Sequence, residues 1–192
     1  TKSPDWKIAC NGRPLAPRTP RQAARSGIGY ISGDRAAKGI IGGLPVVDNV
    51  MASRRVVEHR HVVSRHEAAE ARAMLQALNA GERSVWGFPA AMSGGTQQKL
   101  LIARWLALSP RILVLEEPTR GVDLGTKREI YALIRQLAEA GTIVIWWSTE
   151  HAELASLCDL VISFEPHGNP TGVLRADQLT DESLARATGM AA

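Results

Sequence analysis

The chain has 192 residues, 45 % hydrophobic and 22 % charged, with 23 Lys and Arg against 19 Asp and Glu for a formal charge of +4. That is room for one ordinary domain with a sizeable core, in a composition that excludes the disordered and collagen-like classes. The most apolar stretch, Thr142–Trp147, is far too short to span a bilayer, and Cys10 and Cys158 stand alone without metal-ligand spacing, which excludes a disulfide framework and makes a reducing compartment the default.

No signal-peptide pattern opens the chain, so any membrane role is expected to be that of a peripheral subunit. Arg18, Arg21, Arg25, Arg35 and Lys38 form the densest basic stretch, interrupted by Asp34. It reads as solvated surface, compatible with nearby anionic headgroups, and nucleic acid is not an expected partner.

In chain order, Pro4, Pro14, Pro17 and Pro20 with Asn11-Gly12 make residues 5–20 read as a hairpin or loop. Thr19-Pro20 caps a short helix to Arg25, Gly27 ends it, and a strand covers Ile28–Ser32. A Gly-rich, charged loop follows over Gly33–Gly43. Ser64–Asn79 predicts a helix with Ser64 as cap and Glu67 closing a capping box. A linker with Gly81, Gly87 and Pro89 leads to a helix over Thr96–Leu108.

From Arg111 onward strands and helices alternate. ILVLEE, TIVIWW and LVISF are the strands, with helices over Thr126–Glu139 and Glu150–Leu157 between them. This pattern predicts a mostly parallel sheet covered on both faces, with ligand chemistry at the carboxyl ends of the strands, where Glu116 and Glu117 fall. Trp146 and Trp147 read as core residues on the two faces of their strand. His59, His61 and His66 read as solvent-facing.

Three groupings carry chemistry. Ser93-Gly94-Gly95-Thr96 is a small-residue turn opening a helix, where unpaired N–H groups and a positive dipole end suit a phosphate; the plain alternative is an N-cap. Adjacent carboxylates at a strand end, Glu116 and Glu117, point in opposite directions, so that one can hold hydrated Mg²⁺ and the other polarise an attacking water. Asp123 and Ser148-Thr149-Glu150 are equally read as helix caps. The phosphate loop that would complete such a site, G-x-x-x-x-G-K-[ST], is not found in the 192 residues.

SGGTQQK (Ser93–Lys99), LVLEEPT (Leu113–Thr119) and GVD (Gly121–Asp123) resemble the signature, magnesium strand and D-loop of ABC ATPases. With PTRGVDLGTKREIY and GYISGDR, the chain from about Asn11 to Met190 resembles the C-terminal ATPase half of the duplicated monosaccharide importers. The resemblance implies an α/β, P-loop NTPase-like fold without its N-terminal Walker A part. It further implies a helical signature subdomain over about 44–108, a parallel α/β part with Walker B over 109–176, and a C-terminal helix over 177–192. ATP and Mg²⁺ are the implied cofactors. Ser93, Gly94, Gly95, Thr96 and Gln97, with Asp123 at the interface, are expected to face an ATP held by a second nucleotide-binding domain.

Glu117 is implied as catalytic base, Thr149 at the switch position, and Glu116 at the metal-side position, where it replaces Asp and carries one more methylene. Gly33 stands where Gln or Glu is usual. Residues 33–48 are expected to grip a transmembrane permease, with a periplasmic sugar-binding protein as an indirect partner and the cytoplasmic face of the membrane as the location. The P-loop and an adenine-stacking aromatic are expected upstream of Thr1. Two other readings remain: a non-catalytic dimerisation and permease-docking module, and a soluble, non-transport ABC ATPase.

Overall fold

A computed structural model describes residues 8–10, 12–59, 65–80, 84–165 and 168–188. Near the N-terminus Ile8–Cys10 (β1) and Arg13–Leu15 (β2) form a short antiparallel hairpin, with Pro14 opposite Ala9. Thr19 then caps helix Pro20–Arg25 (α1), its hydroxyl accepting from the Gln22 amide at 3.2 Å. Ile28–Ile31 (β3), Ile112–Glu116 (β4) and Ile143–Trp147 (β5) pair in that order, all parallel, with Tyr30 beside Val114 and Val114 beside Ile145.

Three helices stack beside this sheet: Val46–Glu58 (α2), Arg65–Ala77 (α3) and Gly94–Leu106 (α4). α2 occupies a stretch where the sequence predicts no particular element. Its paired valines favour strands locally, but Val46, Val47, Val50 and Met51 all fall on one helical face and are buried against α4. Burying one such side chain fully contributes about 1.5–3 kcal/mol, enough to override a weak local preference. Ser64, and with it the expected capping box, lies outside the described residues; the Glu67 carboxylate accepts from Arg55 of α2, Nη2 to Oε2 at 3.0 Å.

A polar clamp inside this stack holds the loop that leaves the sheet. Asn49 is fully buried; its Oδ1 accepts from the Ile41 amide and its Nδ2 donates to the carbonyls of Ile41 and Leu44, each at 2.9 Å. Arg104 of α4 donates to the carbonyls of Asn49 and Gly39 at 2.7 Å and to Asn49 Oδ1 at 2.9 Å. Burial pushes the Arg104 guanidinium down to about 10, so it stays charged at neutral pH.

Helix Leu124–Glu139 (α5) covers the same sheet face as α4, with Ile130 and Ile134 in the common core beside Leu113 and Leu115. The expectation of a sheet covered on both faces does not hold for the described residues. Tyr30, Ile145 and Trp147 are 50 %, 52 % and 55 % exposed on the opposite face. Trp146 packs against the core, its ring 5.9 Å from that of Tyr131, whereas Trp147, expected in the core, is open. Strict alternation along β5 puts the two indoles on opposite faces, and α4 and α5 cover only one.

After helix His151–Leu157 (α6), the LVISF strand Leu160–Phe164 (β6) also departs from expectation. It pairs antiparallel with Pro170–Arg175 (β7) in a separate two-stranded sheet. A nearby partner meets its backbone hydrogen bonds before the parallel sheet does. Thr180 caps a last helix, Asp181–Ala187 (α7). Among the described residues no helix is long and apolar enough to cross a membrane.

Candidate functional site

β4 runs apolar until its last residue, and alternation sends Glu116 to the open face of the sheet. There the Tyr30 hydroxyl and the Ser32 hydroxyl, the latter at 3.2 Å, both donate to Glu116 Oε2. The Tyr30 bond, ahead of the others, holds the Glu116 carboxyl below the usual range, and the same bond raises the Tyr30 phenol.

Glu117 then turns the chain out of the strand with φ 42°, a left-handed conformation that costs a non-glycine residue about 1 kcal/mol. Its amide donates to the Trp147 carbonyl at 2.8 Å, tying the end of β4 to the end of β5. Its Oε1 accepts both the amide and the hydroxyl of Thr149, each at 2.8 Å. The two carboxylates therefore diverge as predicted, Glu116 toward β3 and Glu117 toward the residues after β5. Gly33 sits beneath them: a Cβ there would lie 3.1 Å from both the Glu116 carbonyl oxygen and the Glu117 Cβ.

The second grouping lies at the starts of α4 and α5. Ser93 Oγ accepts from the Thr96 amide at 3.2 Å and pairs with the Thr96 hydroxyl at 2.9 Å. The amides of Gly94 and Gly95, at the first helical positions, are left without intrahelical acceptors. Gly95 is buried because α5 approaches it closely. A Cβ there would stand 2.5 Å from the Thr126 methyl, so only glycine fits.

Thr126 is held in turn by Asp123, amide to Oδ1 at 3.0 Å and hydroxyl to Oδ2 at 2.7 Å. These bonds, the amide first, keep the Asp123 carboxyl below its ordinary value. Ser93 and Asp123 are themselves exposed, so the pair of helix starts presents one polar edge to solvent. Gln97 points elsewhere: its amide donates to the Pro89 carbonyl at 3.1 Å and supports the turn before α4. Lys99 is buried against the Asn79 carbonyl at 2.9 Å and paired with Glu129.

Arg35 spans the two groupings. It opens a single π-turn, Arg35–Gly39, and donates to the Arg120 carbonyl at 2.9 Å beside Gly94. With Gly33, Asp34, Ala36 and Arg120 it lines an open cavity of about 420 Å³. Tyr30, Ser32, Arg35 and Thr126 belong to the site by geometry and were not legible as such. A tyrosine in a strand and a threonine one turn into a helix carry no sequence signal of their own.

Among the described residues no group of three or more His, Cys, Asp or Glu could cage a metal. Mg²⁺ is ordinarily held by one or two carboxylates together with phosphate oxygens and water, and Glu116, ionised at the open face of the strand end, suits that role.

Comparison with known proteins agrees with this architecture. The ABC transporter family profile matches residues 5–120. The chain is 51 % identical over 187 residues to the ABC transporter ATP-binding protein y4mK of Sinorhizobium fredii, covering 97 % of this chain and 38 % of the relative. It is 37 % identical over 182 residues to the ribose import ATP-binding protein RbsA of Geobacillus kaustophilus, covering 94 % and 37 %. It thus spans well under half the length of these curated relatives. Among solved structures, the dimeric post-hydrolysis state of the ATP-binding cassette MJ0796 bound to ADP and Pi matches at TM-score 0.74 and 21 % identity, over 88 % of this chain and 73 % of that one. That likeness establishes the fold as that of an ABC ATPase, and with the family match it follows that the chain belongs to the ABC transporter ATP-binding family.

Proposed function

We propose that this chain is the C-terminal part of an ATP-hydrolysing subunit of a sugar importer, and that it donates its Ser93–Thr96 turn to an ATP bound on a second nucleotide-binding domain. The observation that carries the reading is the polar edge formed by the exposed Ser93 and Asp123 beside the half-buried first turn of α4, where buried Gly95 is braced from behind by Thr126. Such an edge offers hydrogen-bond donors and a helix dipole to a γ-phosphate without holding the rest of the nucleotide. In hydrolysis a water oxygen bonds to the γ-phosphorus as the bridge to the β-phosphate breaks, and these donors stabilise the charge on the equatorial oxygens. Asp123 sits at the contact between domains, and Gln97 keeps the turn in shape.

Within this chain's own half-site, Glu117 is the general base, Thr149 orients it, and Glu116 faces the metal. Mg²⁺, when bound with ATP, neutralises charge on the phosphates. The P-loop that would complete this half-site belongs upstream of Thr1. The exposed apolar face of Tyr30, Ile145 and Trp147 supports the presence of further chain packed there. We assign a helical signature subdomain to about 44–108, the Walker B part to 109–176 and a C-terminal segment carrying α7, Asp181–Ala187, from 177 onward. Residues 33–48 dock on a transmembrane permease at the cytoplasmic face, with a periplasmic sugar-binding protein as the indirect partner.

One observation favours a second reading for the chain's own half-site. Gly33 supplies no side chain to bridge metal and water, and the 3.1 Å approach to Glu116 and Glu117 leaves little room for one. On that reading the domain serves as a dimerisation and docking module whose own half-site is silent.

Titration calorimetry of the 192-residue chain with MgATP tests the assignment. A Kd weaker than about 100 μM is expected, because the turn alone gives too few contacts. Sub-micromolar affinity would overturn it.

A further inference from the structure

Glu153 of α6 is 3 % exposed, yet it carries a carboxylate that the proposed reaction does not use. Its Oε1 accepts from the Thr119 hydroxyl and the Tyr131 hydroxyl at 2.6 Å each and from Lys127 Nζ at 3.1 Å, and its Oε2 accepts from the Ser148 hydroxyl at 2.9 Å. Thr119 is itself fully buried and Ser148 is 9 % exposed. An isolated carboxylate so buried would cost several kcal/mol, and four donors converging on it offset that cost. Burial works to raise its pKa; the hydrogen bonds from Thr119, Tyr131, Ser148 and Lys127 outweigh it and leave the group below its ordinary value, hence ionised.

The four donors come from the three segments that form the candidate site. Thr119 lies two residues beyond Glu117. Ser148 immediately precedes Thr149. Lys127 and Tyr131 sit on the turns of α5 that follow Asp123 and Thr126, and Lys127 also pairs with Glu150 at 2.7 Å. One buried anion thereby fixes the ends of β4 and β5 against the start of α5, which in turn seats Gly95.

We propose that Glu153 is a positioning residue for ATP turnover, holding the Glu117–Thr149 strand ends in register with the Asp123–Thr126 helix start that braces the Ser93–Thr96 turn. The inference rests on the reading given under Proposed function. It places no contact between Glu153 and nucleotide, so its loss should act on kcat and leave ATP binding largely intact.

The test is Glu153→Gln in the full-length protein assembled with its permease. The exchange keeps the shape, removes the charge and puts an amide donor among hydroxyl donors. Expected are a fall in kcat of about 10-fold or more with KM for ATP within about 2-fold of wild type. Amide hydrogen exchange should accelerate by about 10-fold at Thr149 and Thr126 while α3 amides keep their protection. Unchanged kcat together with unchanged exchange at Thr149 and Thr126 would overturn the proposal. Thr119→Val, which removes one donor and keeps the anion, decides the matter if Glu153→Gln does not fold: a smaller kcat loss at constant KM supports it, and wild-type kinetics overturn it. A wild-type protein without ATP turnover would instead reject the functional reading, and the exchange measurement alone would then decide the positioning role.

Discussion

Thr149 gives both its amide and its hydroxyl to the same Glu117 oxygen, each at 2.8 Å. This orients the carboxylate and leaves its second oxygen open, an arrangement suited to a base. The same half-site, however, has glycine at position 33 and a longer carboxylate at 116. On the proposal that most turnover belongs to the other shared site, Glu117→Gln in the full-length protein with its permease should change steady-state ATP hydrolysis by less than about 3-fold. A loss as deep as that of the Ser93 variant considered below would show that the half-site is active.

Gly95 and Thr126 fill one space. Gly95→Ala should destabilise the fold by about 1–3 kcal/mol in urea titration, because the added methyl meets the Thr126 methyl at 2.5 Å. Thr126→Ser, which removes that methyl and retains the hydroxyl, should recover part of the loss in a double-mutant cycle. Strict additivity would mean that the close approach is not what requires glycine.

The Asn49–Arg104 clamp makes a separate prediction about the loop leaving β3. Asn49→Ala strips partners from the Ile41 amide and carbonyl and from Arg104, and should cost about 2–4 kcal/mol by denaturant titration. Arg104→Lys should also destabilise, because an ammonium cannot reach the Asn49 and Gly39 carbonyls and Asn49 Oδ1 together.

Acid should weaken the fold in a way traceable to one group. Glu153 and Glu116 both have folded-state pKa values below the ordinary 4.5, Glu153 through hydrogen bonds that overcome its burial and Glu116 chiefly through Tyr30. A depressed carboxyl pKa contributes stability that is complete above the unfolded value and is lost as pH falls through the folded value. Thermal midpoints measured from about pH 7 down to about pH 3 should drop on the acid side. In Glu153→Gln that drop should be shallower, from a lower starting midpoint. An identical acid slope in the variant would remove Glu153 from the explanation.

Much of this architecture could be read from the residues. The caps at Thr19, Ser93 and Asp123 mark helix starts because a side-chain oxygen meets an orphan amide there, and each such bond is present. The divergence of Glu116 and Glu117 follows from strand alternation. What escaped depends on contacts between distant segments. Val46–Glu58 carries no clear element signal in the sequence, and its helical face shows only once its valines pack on α4. Trp147 looks like core until the coverage of each sheet face is known. Glu153 draws no reading from the sequence, and only the convergence of Thr119, Tyr131, Lys127 and Ser148 gives it a role. β6 has the composition of a parallel-sheet strand, yet it pairs antiparallel with β7, the next strand along the chain.

Whether the Ser93–Thr96 turn serves an ATP held by another domain is decided by Ser93→Arg. Arginine at the exposed helix start should obstruct the approaching γ-phosphate, at a cost of about 0.5–2 kcal/mol for the lost Ser93 cap. In the full-length protein with its permease, transport-coupled ATP hydrolysis should fall by about 100-fold or more while ATP affinity stays within about 3-fold of wild type. Hydrolysis at the wild-type rate in the folded variant would contradict the account.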